Sequence, residues 1–145
     1  MQEDRGTVER EVLDVLQAWS RALQTRDLDA LARCYEGDVR VFDVKDETRG
    51  FAELRRLWEA CLPYFGDEIG TERDDVRMVV GPSLAVVTMR SRLTGMKTDH
   101  PSARSWLRTT VCLHRTGGTW RIFHEHSSLP VDCANDAPVY LLDET

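Results

Sequence analysis

The chain has 145 residues, 41% of them hydrophobic and 30% charged, enough for one domain that buries roughly two thirds of its unfolded surface. Its formal net charge of -6 argues against nucleic acid as a partner, because phosphate binding needs a basic footprint. No apolar run approaches the ~20 residues of a membrane span, and the polar opening Met1-Gln2-Glu3-Asp4-Arg5 lacks signal-peptide character, so a cytoplasmic protein with no membrane partner is expected.

Between residues 7 and 24, Val8, Val12, Val15, Leu16, Trp19 and Leu23 recur every three or four positions, which predicts an amphipathic helix with Thr7 as its N-cap. Asp27 or Asp29 caps a short second helix over residues 30–35, with Leu28 and Leu31 turned inward. The period then changes: Val39, Val41 and Asp43 alternate with Arg40, Phe42 and Val44, as a strand over residues 38–44 requires. Residues 45–50 are polar, end in Gly50 and read as a turn. Helical spacing returns over residues 51–65 through Phe51, Leu54, Leu57, Trp58, Cys61 and Leu62.

Everything beyond reads as strand. Residues 75–80 and 84–93 flank Gly81-Pro82-Ser83, and residues 105–114 and 119–128 flank Arg115-Thr116-Gly117-Gly118, giving two hairpins separated by a polar loop. Helices first and antiparallel strands later predict an α+β domain, about three helices packed on one face of a curved sheet. One domain is expected over residues 1–145, with its core at about 8–131 and a tail at 132–145.

The last hairpin fixes side-chain parity if its loop has an even number of residues. One face then carries Leu107, Thr109, Val111 and Leu113 with Trp120, Ile122, His124 and His126. The other carries Trp106, Arg108, Thr110 and Cys112 with Arg121, Phe123, Glu125 and Ser127, and a one-residue slip would exchange the two. The first set is the more apolar and should face the helices. His124 and His126 then stand at the polar end of an apolar surface, the usual anatomy of a small-molecule site, where imidazole can move a proton near neutral pH. The competing reading makes both histidines hydrogen-bonded structural residues.

A metal would need a third ligand, for which Asp43 is the candidate, and no metal or other cofactor is expected. Cys34, Cys61, Cys112 and Cys133 lie far apart and read as buried small hydrophobes. On the second face Arg108 and Glu125 should pair, and with Trp106 and Phe123 beside them that surface is expected to form a homodimer interface.

Two stretches carry a resemblance: residues 26–39, Arg-Asp-Leu-Asp-Ala-Leu-Ala leading to Tyr-Glu-Gly-Asp-Val, and the ending Gly118-Thr119-Trp120-Arg121-Ile122-Phe123-His124-Glu125-His126-Ser127-Ser128-Leu129-Pro130. With the element order, they resemble the nuclear transport factor 2-like superfamily, in its SnoaL-like, ketosteroid isomerase-related branch, over about residues 8–131. The resemblance implies a cone-shaped sheet around a pocket for a small apolar molecule, and frequent homodimers. It also implies one of two functions. One is acid–base isomerisation, cyclisation or dehydration of a carbonyl compound; the other is non-catalytic binding or assembly.

It places a base at the end of the first strand, where Asp43 stands. The alternative there is an aspartate that caps its own turn. The family's oxyanion donors fall on Trp19 and near Thr109 or Thr110, which are weaker donors, so steroid isomerisation itself is not expected. Arg90 is expected to clamp substrate or to pair with an acid such as Asp43, and Trp19, Tyr35 and Trp58 complete the pocket candidates unless they are simply core. Val139-Tyr140-Leu141-Leu142 in the tail either closes the pocket or adds to the dimer.

Overall fold

The computed structural model describes residues 4–143; Met1 to Glu3 of the polar opening and the last two residues of the tail lie outside the described residues. Helix α1 (Arg5–Gln24) follows the predicted period and buries Val8, Val12, Leu16 and Leu23, although its N-cap is Asp4 and not Thr7. Helix α2 (Leu28–Ala32) starts at Asp27, whose side chain accepts the Ala30 N–H at 2.9 Å and so satisfies one of the orphan donors of the first turn. Helix α3 (Phe51–Cys61) ends in a single tight turn at Leu62–Tyr64, where Pro63 stops it.

Six strands form one sheet: β1 (Tyr35–Phe42), β2 (Glu47–Arg49), β3 (Phe65–Val80), β4 (Leu84–Met96), β5 (Leu107–Thr116) and β6 (Thr119–Ser128), in the order β2-β1-β6-β5-β4-β3. All pairs are antiparallel except β1 with β6, which run parallel. Three predicted boundaries move. The end of the expected second helix joins β1, the expected turn contains β2, and β3 begins at Phe65 where the sequence suggested Asp75. Among the described residues no helix is long and apolar enough to cross a membrane.

The core lies between the three helices and the concave face of the sheet. Val12, Leu23, Leu31, Val39, Val87, Leu113 and Ile122 are essentially fully buried there. The sheet bends at irregular places in its ladders. Four residues of β3, from 66 to 69, lie opposite Gly95 alone, and Asp75 adopts a positive φ of 50° at a second shift. The tail closes on the outside. A ribbon of β7 (Val131–Asp132) and β8 (Ala137–Pro138) leads to Leu141, which bridges to Trp106, and to Asp143, which accepts the Trp106 indole N–H at 2.8 Å. It adds to the outer face, not to the pocket mouth.

Candidate functional site

Strand β6 decides which side chains face the helices. The two-residue turn at Gly117 and Gly118, both at positive φ, pairs Thr116 with Thr119 and holds the predicted parity as far as Leu113 opposite Ile122. There the register shifts: the next pair is Cys112 with His124, so Phe123 is an extra residue in β6. Beyond this bulge every side chain changes face. Val111 lies opposite Glu125 and Thr109 opposite Ser127 on the inside, while His124 and His126 turn outward.

The expected pocket histidines are therefore corrected. His124 donates its Nδ1–H to the Arg40 carbonyl (2.8 Å), and both imidazoles meet Phe42 edge to face, with ring centroids 5.0 and 5.6 Å away. They stand on the far side of the sheet from Asp43, so the three cannot converge on a metal. Among the described residues no group of three His, Cys, Asp or Glu side chains is placed to hold one. The same bulge separates Arg108 from Glu125: Arg108 Nε instead donates to Ser128 Oγ at 3.2 Å, and the face once expected to include Glu125 loses its acid.

A cavity of about 200 Å³ opens between α1, α3 and the concave sheet. Its walls are mostly apolar, with Leu16, Leu57, Met89, Leu93 and Ile122 joined by Trp19 and Trp58, whose rings meet edge to face at 6.1 Å. Glu125 and Asp43 both line it, as do Arg73 and the hydroxyls of Ser91, Thr109 and Ser127. Those hydroxyls form a chain, Ser91 to Thr109 at 2.8 Å and Thr109 to Ser127 at 3.1 Å.

Glu125 is the unusual group. Tyr35 Oη donates to its Oε1 at 2.7 Å, and Tyr35 Oη in turn accepts the Trp19 indole N–H at 2.7 Å. Burial pushes the Glu125 carboxyl up to about 7, reinforced by the charge of Asp43 and opposed by the Tyr35 hydrogen bond and by Arg73. The same burial, together with Glu125, raises the Tyr35 hydroxyl well above its ordinary value, so the phenol stays a donor. Arg73 is held by Leu16 O (3.0 Å) and Ser20 Oγ (2.8 Å), and its Nε is buried with no partner among the described residues.

Asp43 stands at the cavity rim, exposed overall. Its Oδ1 accepts the Val44 N–H at 2.8 Å, the self-capping bond expected of a strand end. Burial by the surrounding walls nonetheless raises its carboxyl, offset by that N–H and assisted by Asp46. Trp19, Trp58 and Thr109 line the cavity. Tyr35 lies behind the wall and reaches the cavity through Glu125. Arg90 does not reach it: it faces outward, over the Trp106 ring at 5.4 Å. Of the cysteines only Cys34 is fully buried, and Cys133 is exposed.

Removing the phenol oxygen tests the Trp19–Tyr35–Glu125 chain. Tyr35→Phe takes a hydrogen bond from Glu125 and leaves the Trp19 N–H without its acceptor. The expected results are a Glu125 midpoint displaced upward from about 7 and a stability loss of about 1–3 kcal/mol. Carboxyl-carbon NMR titration and urea denaturation measure the two, and an unmoved midpoint would show that Tyr35 does not set the acid's strength.

The helices and the curved sheet thus enclose a mostly apolar cavity that holds a carboxyl raised by burial. The SnoaL-like domain family matches residues 12–132, and the chain belongs to that family. No curated protein matches the chain.

Solved structures show the same fold. A nuclear transport factor 2-like protein of unknown function from Pseudomonas putida KT2440 has 23% identity, covers 99% of this chain and 100% of its own, and superposes with a TM-score of 0.83. A proposed dehydratase from Streptomyces avermitilis has 16% identity over 89% of this chain and 100% of its own, at a TM-score of 0.73. A proposed ketosteroid isomerase from Shewanella frigidimarina has 18% identity over 81% and 94%, at 0.67.

Proposed function

We propose that the chain acts by acid–base chemistry on a small, largely apolar compound that bears a carbonyl group, with one or two rings. The observation that carries this reading is Glu125: a carboxyl pushed to about 7 in an apolar cavity that also holds a second, differently placed carboxyl. Two acids whose surroundings move their strengths apart divide naturally into donor and base. Asp43 is the base that takes a proton from the carbon beside the carbonyl. The C–H electron pair becomes the new C=C bond, the carbonyl π pair moves onto the oxygen, and protonated Glu125, steadied by Tyr35, donates a proton there. The cavity of about 200 Å³ supports the size limit, since roughly 150 Å³ already accommodates benzene.

Proton exchange tests this without knowledge of the natural substrate. Deuterium uptake beside the carbonyl of 2-cyclohexenone, 1-indanone and 2-tetralone, followed by NMR in heavy water, should be accelerated by the protein. Glu125→Gln and Asp43→Asn should each slow it by about a hundredfold or more. A probe that binds in the cavity but exchanges no faster than in buffer would instead make the protein a carrier of small hydrophobic molecules.

A further inference from the structure

Two arginines two residues apart on the outer face of β4 are treated very differently. Arg92 lies over the Trp106 ring at 4.3 Å and is neutralised by Glu72 and by Asp143, each at 2.9 Å. Arg90 lies against the same ring and has no carboxylate partner among the described residues; its Nε is buried with nothing to bond. Asp143 feels its charge but is committed to Arg92 and Trp106.

Directly across from Arg90 on β5 stands Arg108, and across from Arg108 on β6 stands Ser128. One pleat along, Thr88, Thr110 and His126 make a second row over the same three strands. All six side chains line one open groove of about 270 Å³. One acid, Asp75, also lines the groove, but its carboxylate lies 3.4 Å from Arg77, and Asp74, paired with Arg90 in the ladder, accepts the Asp75 N–H.

Like charges directly opposite on a sheet repel and destabilise it. A chain with an excess of acids has nevertheless placed two arginines directly opposite each other on neighbouring strands here, with no ion pair to either among the described residues. Guanidiniums, hydroxyls and an imidazole gathered from three strands are the donor set that recognises an anion with oxygens pointing several ways.

We propose that this groove is a second ligand site, built for a tetrahedral oxyanion such as the phosphate group of a small soluble molecule. The bulge at Phe123 assembles it, because it turns His126 and Ser128 outward beside Arg108.

Titration calorimetry and amide NMR with inorganic phosphate against chloride at matched ionic strength test it. The wild type should bind phosphate, with the shifted amides confined to β4, β5 and β6 around Arg90, Arg108 and His126. Arg108→Met, whose side chain is exposed and whose fold should survive, should weaken binding at least tenfold, and Arg90→Met should do the same. Arg33→Met, a charge control on the far side of the molecule, should change nothing.

No phosphate binding by the wild type, or equal weakening by Arg33→Met, overturns the site. So does co-sedimentation with phosphatidate-rich vesicles in the absence of binding to free phosphate, which would make the groove a membrane contact. None of these outcomes depends on the cavity on the opposite face.

Discussion

Glu125→Gln makes the protein more stable above pH 7 and leaves it unchanged below pH 4.5. Glutamine is the neutral shape of the acid: its carbonyl oxygen still accepts the Tyr35 hydroxyl, and nothing else in the cavity needs to move. The carboxyl titrates at about 7 in the folded chain against an ordinary value of 4.5.

Between those values the native state keeps a proton that the unfolded chain has released, so the wild type loses stability as pH rises through this window and levels off above it. The difference between variant and wild type should therefore grow from nothing to on the order of 3 kcal/mol. Urea denaturation of the two proteins from pH 4 to 8.5 measures it. Parallel curves through the window would mean that Glu125 is an ordinary solvated acid, and the proposed chemistry would lose its donor. Gains in stability on neutralising a functional group are the usual sign that the group is held for its task and not for the fold.

Gly95→Ala should cost about 3–5 kcal/mol, through backbone and not side-chain contacts. Gly95 sits at φ +101°, in a region that L-residues rarely adopt, and a Cβ there would collide with the carbonyl oxygen of Glu68 and crowd its carbonyl carbon. Those obstacles belong to the loop of β3 that arches over Gly95, so no rotamer change relieves them.

Gly118→Ala separates the causes. Its φ is +79°, yet nothing lies within 4 Å of the added methyl, so only the conformational cost of about 1 kcal/mol is expected. Chemical denaturation of both variants compares them. Equal losses would show that the arch over Gly95 yields, and that the bend of the β3–β4 end is softer than its contacts suggest.

The helices, both hairpins and the fold class were legible because the signals there are local: a 3.6-residue period in α1 and α3, and Gly117-Gly118 at a turn that demands positive φ. The first half of β3 was not, since Gly66, Asp67, Glu68 and Gly70 erase the alternation that its pairing with β4 supplies in three dimensions. Asp43, Trp19, Trp58 and Thr109 reached the cavity because alternation in β1 and β5 and the helix period in α1 and α3 are unbroken as far as those residues.

Glu125 was assigned to the outer face and His124 and His126 to the inner one, each the reverse of what is found, because parity propagates: one uncounted residue inverts everything after it. The only sequence hint was the adjacent pair Ile122-Phe123, two apolar neighbours where strict alternation allows one. Arg73 and Ser91 carried no hint, as their part in the cavity arises from contacts with α1 and β5.

In the language of crystals, the extra residue at Phe123 is a dislocation, and whatever follows it is displaced by half a repeat. Dislocations can glide. If this one moved toward the end of β6, one rung at a time, Glu125 and then Ser127 would rotate out of the cavity and the two imidazoles would rotate in. The strand thus encodes two alternative linings, one acidic and one basic, in a single run of letters. What pins the defect is the bond from Tyr35 on one side of the sheet and the edge-to-face contacts of Phe42 with both histidines on the other. Loosening either pin is the route by which a small number of substitutions could change the chemistry of the cavity without touching its walls.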